Sequence, residues 1–145
     1  PVPLDAMRAE DGWRVERSEA VIAREPAGRR RSHGAFARAR EAVATYAFSD
    51  PAIVEAHFDA CAPLRGRRML LELKVLGLHY LCGVEITEVR DERDGARSSF
   101  GFRYYTLSGH VECVAEWFLV EQDHSTGILR FVIESRLRRG ALPDP

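Results

Sequence analysis

Residues 100–120 read FGFRYYTLSGHVECVAEWFLV, and this stretch decides the fold. Its alternating apolar side chains and aromatic pairs predict two β-strands joined by a turn at residues 106–109. The glycine that ends the turn suits the positive φ that tight turns require. Three ionisable side chains, His110, Glu112 and Glu116, lie within this otherwise apolar hairpin. They need partners or a function, because a buried polar group without a partner is costly.

Side chains alternate between the two faces of a strand, so residues 110–120 divide into two sets. The first set is apolar throughout and consists of Val111, Cys113, Ala115, Trp117 and Leu119. The second set is mixed and consists of His110, Glu112, Val114, Glu116, Phe118 and Val120. We expect the apolar set to be core, and any function of this strand to depend on the mixed set.

The strands of the C-terminal half share this alternating character. Besides residues 110–120, they are residues 69–75, 79–89, 99–106 and 128–137. Asp94-Gly95 and residues 125–127 are typical of hairpin turns, so consecutive strands are expected to pair in an antiparallel meander. Gly77 interrupts an apolar sequence between the first two of these strands, which predicts either a bulge or the apolar rim of a cavity.

The N-terminal half predicts one strand and two helices. Residues 1–12 lack periodicity and are expected to be flexible, and residues 13–22 predict a short strand. A first helix is predicted by the helical spacing of Phe36, Ala39, Val43 and Tyr46. A second helix is predicted to begin at Asp50-Pro51 and to bury Ile53, Val54, Phe58 and Cys61. His57 lies beside this second stripe and is interpreted as a packing residue.

Together these elements predict a single α+β domain, residues 1–145, in which a curved antiparallel sheet of about six strands packs against two short helices. The order of elements resembles the helix-grip plan of Bet v 1-like and START-like proteins. The long C-terminal helix of that plan has no counterpart in this sequence, which ends at residue 145. Two alternatives would explain this difference. Either the fold is a shortened version of the plan, or a partner chain covers the sheet face that the helix would otherwise cover.

The composition is that of an ordinary soluble protein. Apolar residues make up 46% and charged residues 30%, and the net charge of −1 favours neither nucleic acid nor an acidic membrane as a partner. We found neither a secretion signal nor an apolar run of membrane-spanning length, so we expect a cytoplasmic protein. Lys74 is the only lysine, a bias that indicates a GC-rich, bacterial genome rather than a function. Three cysteines, Cys61, Cys82 and Cys113, are expected to be reduced core residues.

The segment around TLSGH resembles the recurring core of an uncharacterised family, the domain of unknown function nineteen-ninety. That core is close to FGxxYGTLxGHxExGEExF, and the likeness covers about residues 34–136. The matching residues are Phe100, Gly101, Tyr104, Thr106, Leu107, Gly109, His110, Glu112, Glu116 and Phe118. Tyr105 replaces a glycine of the family pattern, and Val114-Ala115 replace a Gly-Glu pair. The family has no established activity, so the resemblance implies a region of interest and no reaction.

His110, Glu112 and Glu116 share one face of their strand and form the main candidate site. In one interpretation they are an acid–base group, in which a carboxylate sets the tautomer of His110. In the other they lie on an outer, solvated face, where the glutamates pair across the hairpin with Arg130, Arg136 or Arg138.

The ligand-binding candidates extend this site to the neighbouring strands and to the apolar segment 75–81. They are Leu76, Leu78, Tyr80, Phe100, Phe102, Tyr104, Tyr105, Thr106, His110, Glu112 and Glu116. Tyr104 and Tyr105 are expected to face opposite sides of the sheet, one in the core and one lining a pocket. No metal site is predicted, because His79 and Cys82 lie three apart in a strand and face opposite ways. No cofactor is expected either, because the sequence holds no phosphate-binding loop.

Three functions remain open. The first is a binding module for a small hydrophobic or amphipathic ligand, held in a cavity between sheet and helices. The second is an enzyme of the cyclase or hydratase type, with His110 and Glu116 as acid–base partners and Tyr104 assisting. The third is a homodimeric interaction protein that buries a bare face of the sheet. The residues that would form its interface are Val114, Phe118 and Val120 on one face, or Trp117 and Leu119 on the other.

Overall fold

In the part of the chain that it describes, the computed structural model contains one antiparallel sheet and one α-helix. It describes residues 7–28, 32–107 and 112–139, and at positions 112 and 139 it describes the backbone alone. Within these ranges, no helix has the length and apolar character that crossing a bilayer would require. After a short 3-10 helix, Ala9–Asp11, the elements are β1 (Arg14–Arg24), α1 (Ala35–Ala44), β2 (Val54–Phe58), β3 (Arg68–Val75), β4 (Leu78–Arg93), β5 (Arg97–Thr106), β6 (Glu112–Asp123) and β7 (Ile128–Arg139).

The seven strands are arranged in the order β1-β7-β6-β5-β4-β3-β2. From β2 to β7 each strand pairs with the next in sequence, as short connections between antiparallel strands allow. The first strand then pairs with the last, and Arg14 lies opposite Leu137 while Arg24 lies opposite Ile128. The strands β1 and β2 are therefore the two edges of the sheet.

One face of the sheet, which we call the inner face, carries the main core. Helix α1 packs on this face against β5 and β6 and buries Phe36 and Val43 there. The buried strand residues of this core are Met69, Leu71, Cys82, Val84, Ile86, Phe100, Phe102, Tyr104, Phe118, Val120 and Leu129. The opposite, outer face carries two smaller buried clusters, namely Trp117 with Leu119 and Val132, and Met7 with Trp13 and Ala115.

The predicted second helix is wrong. Asp50 begins no more than one turn, in which its Oδ1 accepts the N–H of Ala52 at 2.9 Å, and the chain then extends into β2. The β2 sequence VEAHF alternates, so that Val54, Ala56 and Phe58 pack against the core while His57 is exposed. A two-residue period therefore describes this short segment better than the helical spacing from which the helix was predicted.

The predicted fold of about six strands and two helices is consequently corrected to seven strands and one helix. The comparison with the helix-grip plan depended on two helices after the first strand, and it loses that support. His57 is not a packing residue beside a helix but lies exposed on the outer face of β2. Cys61 is exposed as well, whereas Cys82 is buried as expected.

The predicted alternation along β6 is confirmed, but the main core lies on the face of the mixed set and not, as expected, on that of the apolar set. Phe118 belongs to the core of the inner face, and Trp117 and Leu119 belong to a cluster of the outer face. The chain itself buries four of the five residues suggested for a homodimer interface, since Phe118 and Trp117 are each 5% exposed and Leu119 and Val120 are each 1% exposed, while Val114 is partly buried. They do not form the bare surface that the homodimer hypothesis requires.

Candidate functional site

A cavity of about 650 Å³ lies between the inner face of the sheet and the segment that follows α1. The segment contributes Tyr46, Phe48, Ser49 and Asp50 to its walls. The strands contribute Val54, Leu71, Leu73, Tyr80, Cys82, Tyr104, Thr106, Val114, Glu116, Phe118, Phe131 and Ile133. This volume and these mainly apolar walls are typical of sites that bind small molecules.

Glu116 is the central polar group of the cavity. The strand register places it directly opposite Tyr104 on β5 and directly opposite Ser135 on β7. The Tyr104 hydroxyl donates to Glu116 Oε2 at 2.6 Å, and the Ser135 hydroxyl donates to Glu116 Oε1 at 2.5 Å. Both carboxylate oxygens therefore accept a hydrogen bond, which is the arrangement that suits an ionised carboxylate. We call these three residues the Glu116 triad.

Tyr46 enters the cavity from a strained backbone position at the end of α1. The N–H of Tyr46 donates to the Val43 carbonyl, and the N–H of Ala47 donates to the Ala42 carbonyl, which together form a Schellman C-cap. The residue at this position of the motif is usually glycine, yet here Tyr46 has a φ of 58°. An L side chain in this region costs roughly 1 kcal/mol or more, so packing of the ring must offset the strain.

The hydroxyls of Tyr46 and Tyr104 remain protonated at neutral pH. Burial raises the pKa of Tyr46, and the negative charge of Glu116 raises it further. The same two causes, in the same order, raise the pKa of Tyr104. Burial also raises the pKa of the Cys82 thiol. The cavity thus holds neutral hydroxyl and thiol groups around the Glu116 carboxylate.

Aromatic rings form much of the remaining wall. The Phe118 ring is at their centre, with ring centroids 4.7 Å from Phe48, 5.5 Å from Tyr104 and 6.0 Å from Tyr46. The Phe131 ring lies nearly parallel to that of Phe118, at 6.4 Å. These separations fall within the range of stabilising aromatic pairs, so the rings support one another and give the cavity a fixed shape.

The structure brings four of the predicted ligand-binding residues together and separates others. Tyr80, Tyr104, Thr106 and Glu116 line the cavity, whereas Phe100 and Phe102 are buried in the adjoining core. Tyr105 packs on the outer face beside Trp13, so the prediction that Tyr104 and Tyr105 face opposite sides is confirmed. Leu76 and Leu78 lie at the tip of the β3–β4 hairpin, where they are 98% and 58% exposed.

The proposed acid–base group falls partly outside the described residues. His110 belongs to the undescribed segment 108–111, and the side chain of Glu112 is not described either. Glu116 is not on the solvated outer face where cross-strand pairing with arginine was expected, because it lies in the cavity and is hydrogen-bonded to Tyr104 and Ser135. The interpretation of Glu116 as a surface ion-pair partner is therefore wrong.

Sequence reasoning missed the walls contributed by the segment after α1 and by β7. Ser135 carried a usable signal, because it continues the inner-face parity of Leu129, Phe131 and Ile133 and is a polar residue among apolar ones. Tyr46 was interpreted as part of the helix face, although its position at the C-terminus of the helix allows its ring to turn away. Nothing in the sequence around Phe48, apart from its aromatic side chain, indicated that it lines the cavity.

A second group of ionisable residues lies on the outer face of β2 and β3. Single ligand atoms of Glu55, His57 and Glu72 lie within 4.8 Å of one another. His79 Nδ1 lies 2.5 Å from Glu72 Oε1, and Lys74 Nζ lies 2.7 Å from Glu55 Oε2. Hydrogen bonds from His79 and His57 lower the pKa of Glu72, and the hydrogen bond to Glu55 raises that of Lys74. Because the Lys74 ammonium pairs with Glu55 and also lies 4.0 Å from Glu72, we interpret the group as an ion-pair network.

A larger surface hollow of about 870 Å³ lies beside the β4–β5 and β6–β7 turns. Ser98 Oγ lies 2.9 Å from His124 Nε2, and His124 Nδ1 lies 3.4 Å from the Gly95 carbonyl oxygen. A serine beside a histidine can be an activated nucleophile. Ser98 is only 1% exposed, however, so its contact with His124 is better explained as a structural contact between the start of β5 and the β6–β7 turn.

Comparison with known proteins assigns the chain to a family. No curated protein and no solved structure matches it. A family model with the description "Domain of unknown function (DUF1990)" matches residues 4–143, which confirms the resemblance inferred from the sequence. The Glu116 triad and the cavity lie within this matched range. The chain therefore belongs to the DUF1990 family.

Proposed function

We propose that the protein is a binding module for a small hydrophobic or amphipathic ligand held in the inner-face cavity. The observation that carries the proposal is the cavity itself, because about 650 Å³ of space with mainly apolar walls adjoins an otherwise packed core. The cavity opens to solvent, so its mainly apolar walls are in contact with water, which is unfavourable. An apolar occupant would remove these walls from water, and this favours a binding function for the cavity.

The composition of the walls supports an amphipathic occupant. Most lining side chains are aliphatic or aromatic, and only a few are polar. Glu116 is hydrogen-bonded to Tyr104 and Ser135, and the other polar lining residues include Ser49, Asp50 and Thr106. An apolar body that buries about 250 Å² would gain roughly 6 kcal/mol before the cost of association. The few polar groups would then fix its orientation, as they do in most small-molecule sites.

The test is native mass spectrometry of the purified protein, followed by titration with an apolar probe such as octan-1-ol. We expect a bound small molecule, or saturable probe binding, in the wild type. The substitution Val114→Trp places a large ring in the cavity wall and is expected to abolish binding. The matched control is Val21→Trp, because Val21 is 49% exposed on β1, outside the cavity. A probe that binds Val114→Trp as well as it binds the wild type would refute the proposal.

A second candidate is an acid–base enzyme of the cyclase or hydratase type that uses the same cavity. The observation in its favour is the short hydrogen bond between the Tyr104 hydroxyl and Glu116, inside a cavity with mainly apolar walls. His110, the expected partner of Glu116, lies outside the described residues. If a co-purified molecule changes mass during incubation with the wild type but not with Glu116→Gln, the enzymatic function is favoured over simple binding.

A further inference from the structure

We propose that the cavity selects ligands whose apolar body carries a protonated amine, an inference that rests on the proposed function and specifies its ligand class. The first reason is the charge of the walls. Among the lining residues that the structure describes, Asp50 and Glu116 are carboxylates and none is lysine, arginine or histidine. A ligand with a positive charge would therefore enter a cavity whose described walls are acidic.

The second reason is the bonding of Glu116. Its two oxygens accept hydrogen bonds from Tyr104 and Ser135, and both partners are neutral hydroxyls. Hydroxyl donors stabilise a carboxylate without cancelling its charge. A carboxylate oxygen has more than one acceptor position, so each can still accept a hydrogen bond from an N–H donor of the ligand.

The third reason is the aromatic wall around the carboxylate. The faces of aromatic rings attract cations, and the attraction is stronger where water is excluded. Elsewhere in the described chain this contact is already made, since Arg40 lies 4.2 Å from the centre of the Phe100 ring and Arg67 lies 4.8 Å from that of Phe58. Within residues 7–28, 32–107 and 112–139, no arginine is recorded over a ring that lines the cavity. Those rings are available to a cation supplied by the ligand.

These three features together point to an ammonium group on an apolar chain or ring. Glu116 would accept its N–H hydrogen bonds, and the ring of Phe118, 5.5 Å from that of Tyr104, would contact the adjoining apolar carbons. An anionic ligand of the same shape would meet an unfavourable charge at Glu116. A neutral alcohol would keep the apolar contacts and lose the ionic one.

The experiment compares three probes of equal chain length, octylammonium, octan-1-ol and octanoate, by calorimetry at pH 7. We expect octylammonium to bind at least tenfold more tightly than octan-1-ol, and octanoate to bind more weakly than either, because hydrogen bonds between charged groups are the stronger ones. The substitution Glu116→Gln should reduce the affinity for octylammonium to that for octan-1-ol. Glu19→Gln is the matched control, since Glu19 is exposed on β1 outside the cavity.

The outcomes separate this inference from the proposed function. If the three probes bind the wild type equally and Val114→Trp blocks them, the amine preference is overturned and the binding function stands. If a preference for octylammonium persists in Val114→Trp, carboxylates outside the cavity cause it and the inference is overturned. If it persists undiminished in Glu116→Gln, Glu116 is not the group that selects the amine, and the inference is overturned as well. If none of the three binds, both proposals fail. Should Glu116→Gln not fold, the comparison of the three probes on the wild type and on Val114→Trp still tests whether the cavity prefers an amine.

Discussion

At Gly101 the backbones of β5 and β6 approach so closely that no side chain fits between them. Gly101 lies opposite Leu119, and a Cβ atom there would be 2.0 Å from the carbonyl oxygen of Phe118 and 2.8 Å from a methyl group of Leu119. Phe118 and Leu119 are buried on opposite faces of the sheet, so β6 cannot shift to either side. Space alone, and no unusual φ, therefore requires glycine here.

The substitution Gly101→Ala is accordingly expected to lower the free energy of unfolding by about 2–3 kcal/mol, the usual cost of overpacking a core. Urea denaturation of the purified variants measures this difference. Gly95→Ala is the matched control, because no atom lies within 4 Å of a Cβ at Gly95. We expect the control to change stability by less than about 0.5 kcal/mol. Equal effects of the two substitutions would contradict the steric explanation.

The residues of the candidate site could be predicted only in part. Parity along β6 correctly placed Glu116 and Trp117 on opposite faces, because alternation depends on the strand alone, but it did not show which of the two faces carries the main core. It could not reveal that Tyr104 and Ser135 both reach Glu116, since that depends on the register of three strands. The contribution of Tyr46 depends on a strained C-cap that a helical spacing pattern does not encode.

At the scale of elements, the β3–β4 hairpin has an unusual two-residue turn. Leu76 and Gly77 have φ values of 51° and 77°, and two positive values in succession are the mark of a type I′ turn. Such turns favour Asn-Gly, because leucine is sterically unfavourable in the left-handed region. Packing of the Leu76 side chain offsets little of this strain, since it is 98% exposed.

The substitution Leu76→Asn is therefore expected to stabilise the protein by about 0.5–1 kcal/mol, because asparagine tolerates the left-handed conformation better. Thermal unfolding monitored by circular dichroism would show a higher midpoint temperature. The control is Leu78→Asn, where the same change falls at an exposed position at the start of β4. That variant should be neutral or slightly destabilised, and a higher midpoint in it would argue against the turn conformation as the cause.

The β6–β7 turn predicts a specific dependence of stability on pH. Asp123 Oδ1 accepts hydrogen bonds from the Ser125 N–H and hydroxyl and from the Thr126 N–H, and the Ser125 hydroxyl bond contributes most to lowering the pKa of Asp123 to about 2. The pKa of Asp123 is thus lower in the folded state than in the unfolded chain, where aspartate has a pKa of about 3.9. The stabilisation is present above the unfolded pKa and is lost as the pH falls toward the folded pKa.

We therefore expect the free energy of unfolding of Asp123→Asn to change less steeply than that of the wild type between about pH 4 and pH 2. Denaturation at several pH values in this interval measures the two slopes. Identical slopes would show that the Asp123 hydrogen bonds contribute no pH-dependent stability. The comparison remains valid if the variant is less stable overall, since it concerns the slope alone.

Long elements could be predicted from the sequence, and one short element could not. Helix α1 and six of the seven strands lie close to their predicted positions, because several turns of helix or several alternations define one period clearly. The segment VEAHF is too short to separate the two periods, and the Asp50-Pro51 pair is as typical of an isolated turn as of a helix start. This segment becomes a strand because it pairs with β3, from Val54 opposite Leu73 to Phe58 opposite Met69.

At the scale of the whole molecule, Glu25 connects parts that are distant in sequence. Its Oε1 accepts the N–H of Ala35 at the start of α1 at 2.5 Å, and its Oε2 accepts the side-chain amide of Gln122 on β6 at 2.6 Å. Its own N–H donates to the carbonyl of Gly127 at 2.9 Å. One side chain and its backbone thus join the end of β1 to the helix, to β6 and to the β6–β7 turn.

Glu25→Ala is expected to destabilise the protein by about 2–3 kcal/mol, because it removes a helix N-terminal partner and a charged partner of the buried Gln122 amide. Urea denaturation provides the measurement. Glu16→Ala on the exposed part of β1 serves as control and is expected to cost less than about 0.5 kcal/mol. A cost at Glu25 no greater than at Glu16 would show that these contacts do not contribute to stability.

The pairing of β1 with β7 also has a consequence for the order of folding. During synthesis β1 emerges first, yet its partner in the sheet is the last strand to appear. Closing so long a loop is entropically unfavourable and slow, whereas β2 to β7 pair between sequence neighbours. We expect pulsed hydrogen exchange during refolding to protect amides of β3–β6 before those of β1, and simultaneous protection would contradict this order. Every cavity wall that the structure describes comes from residues 46–133, so the protein would acquire these walls before its first strand is in place.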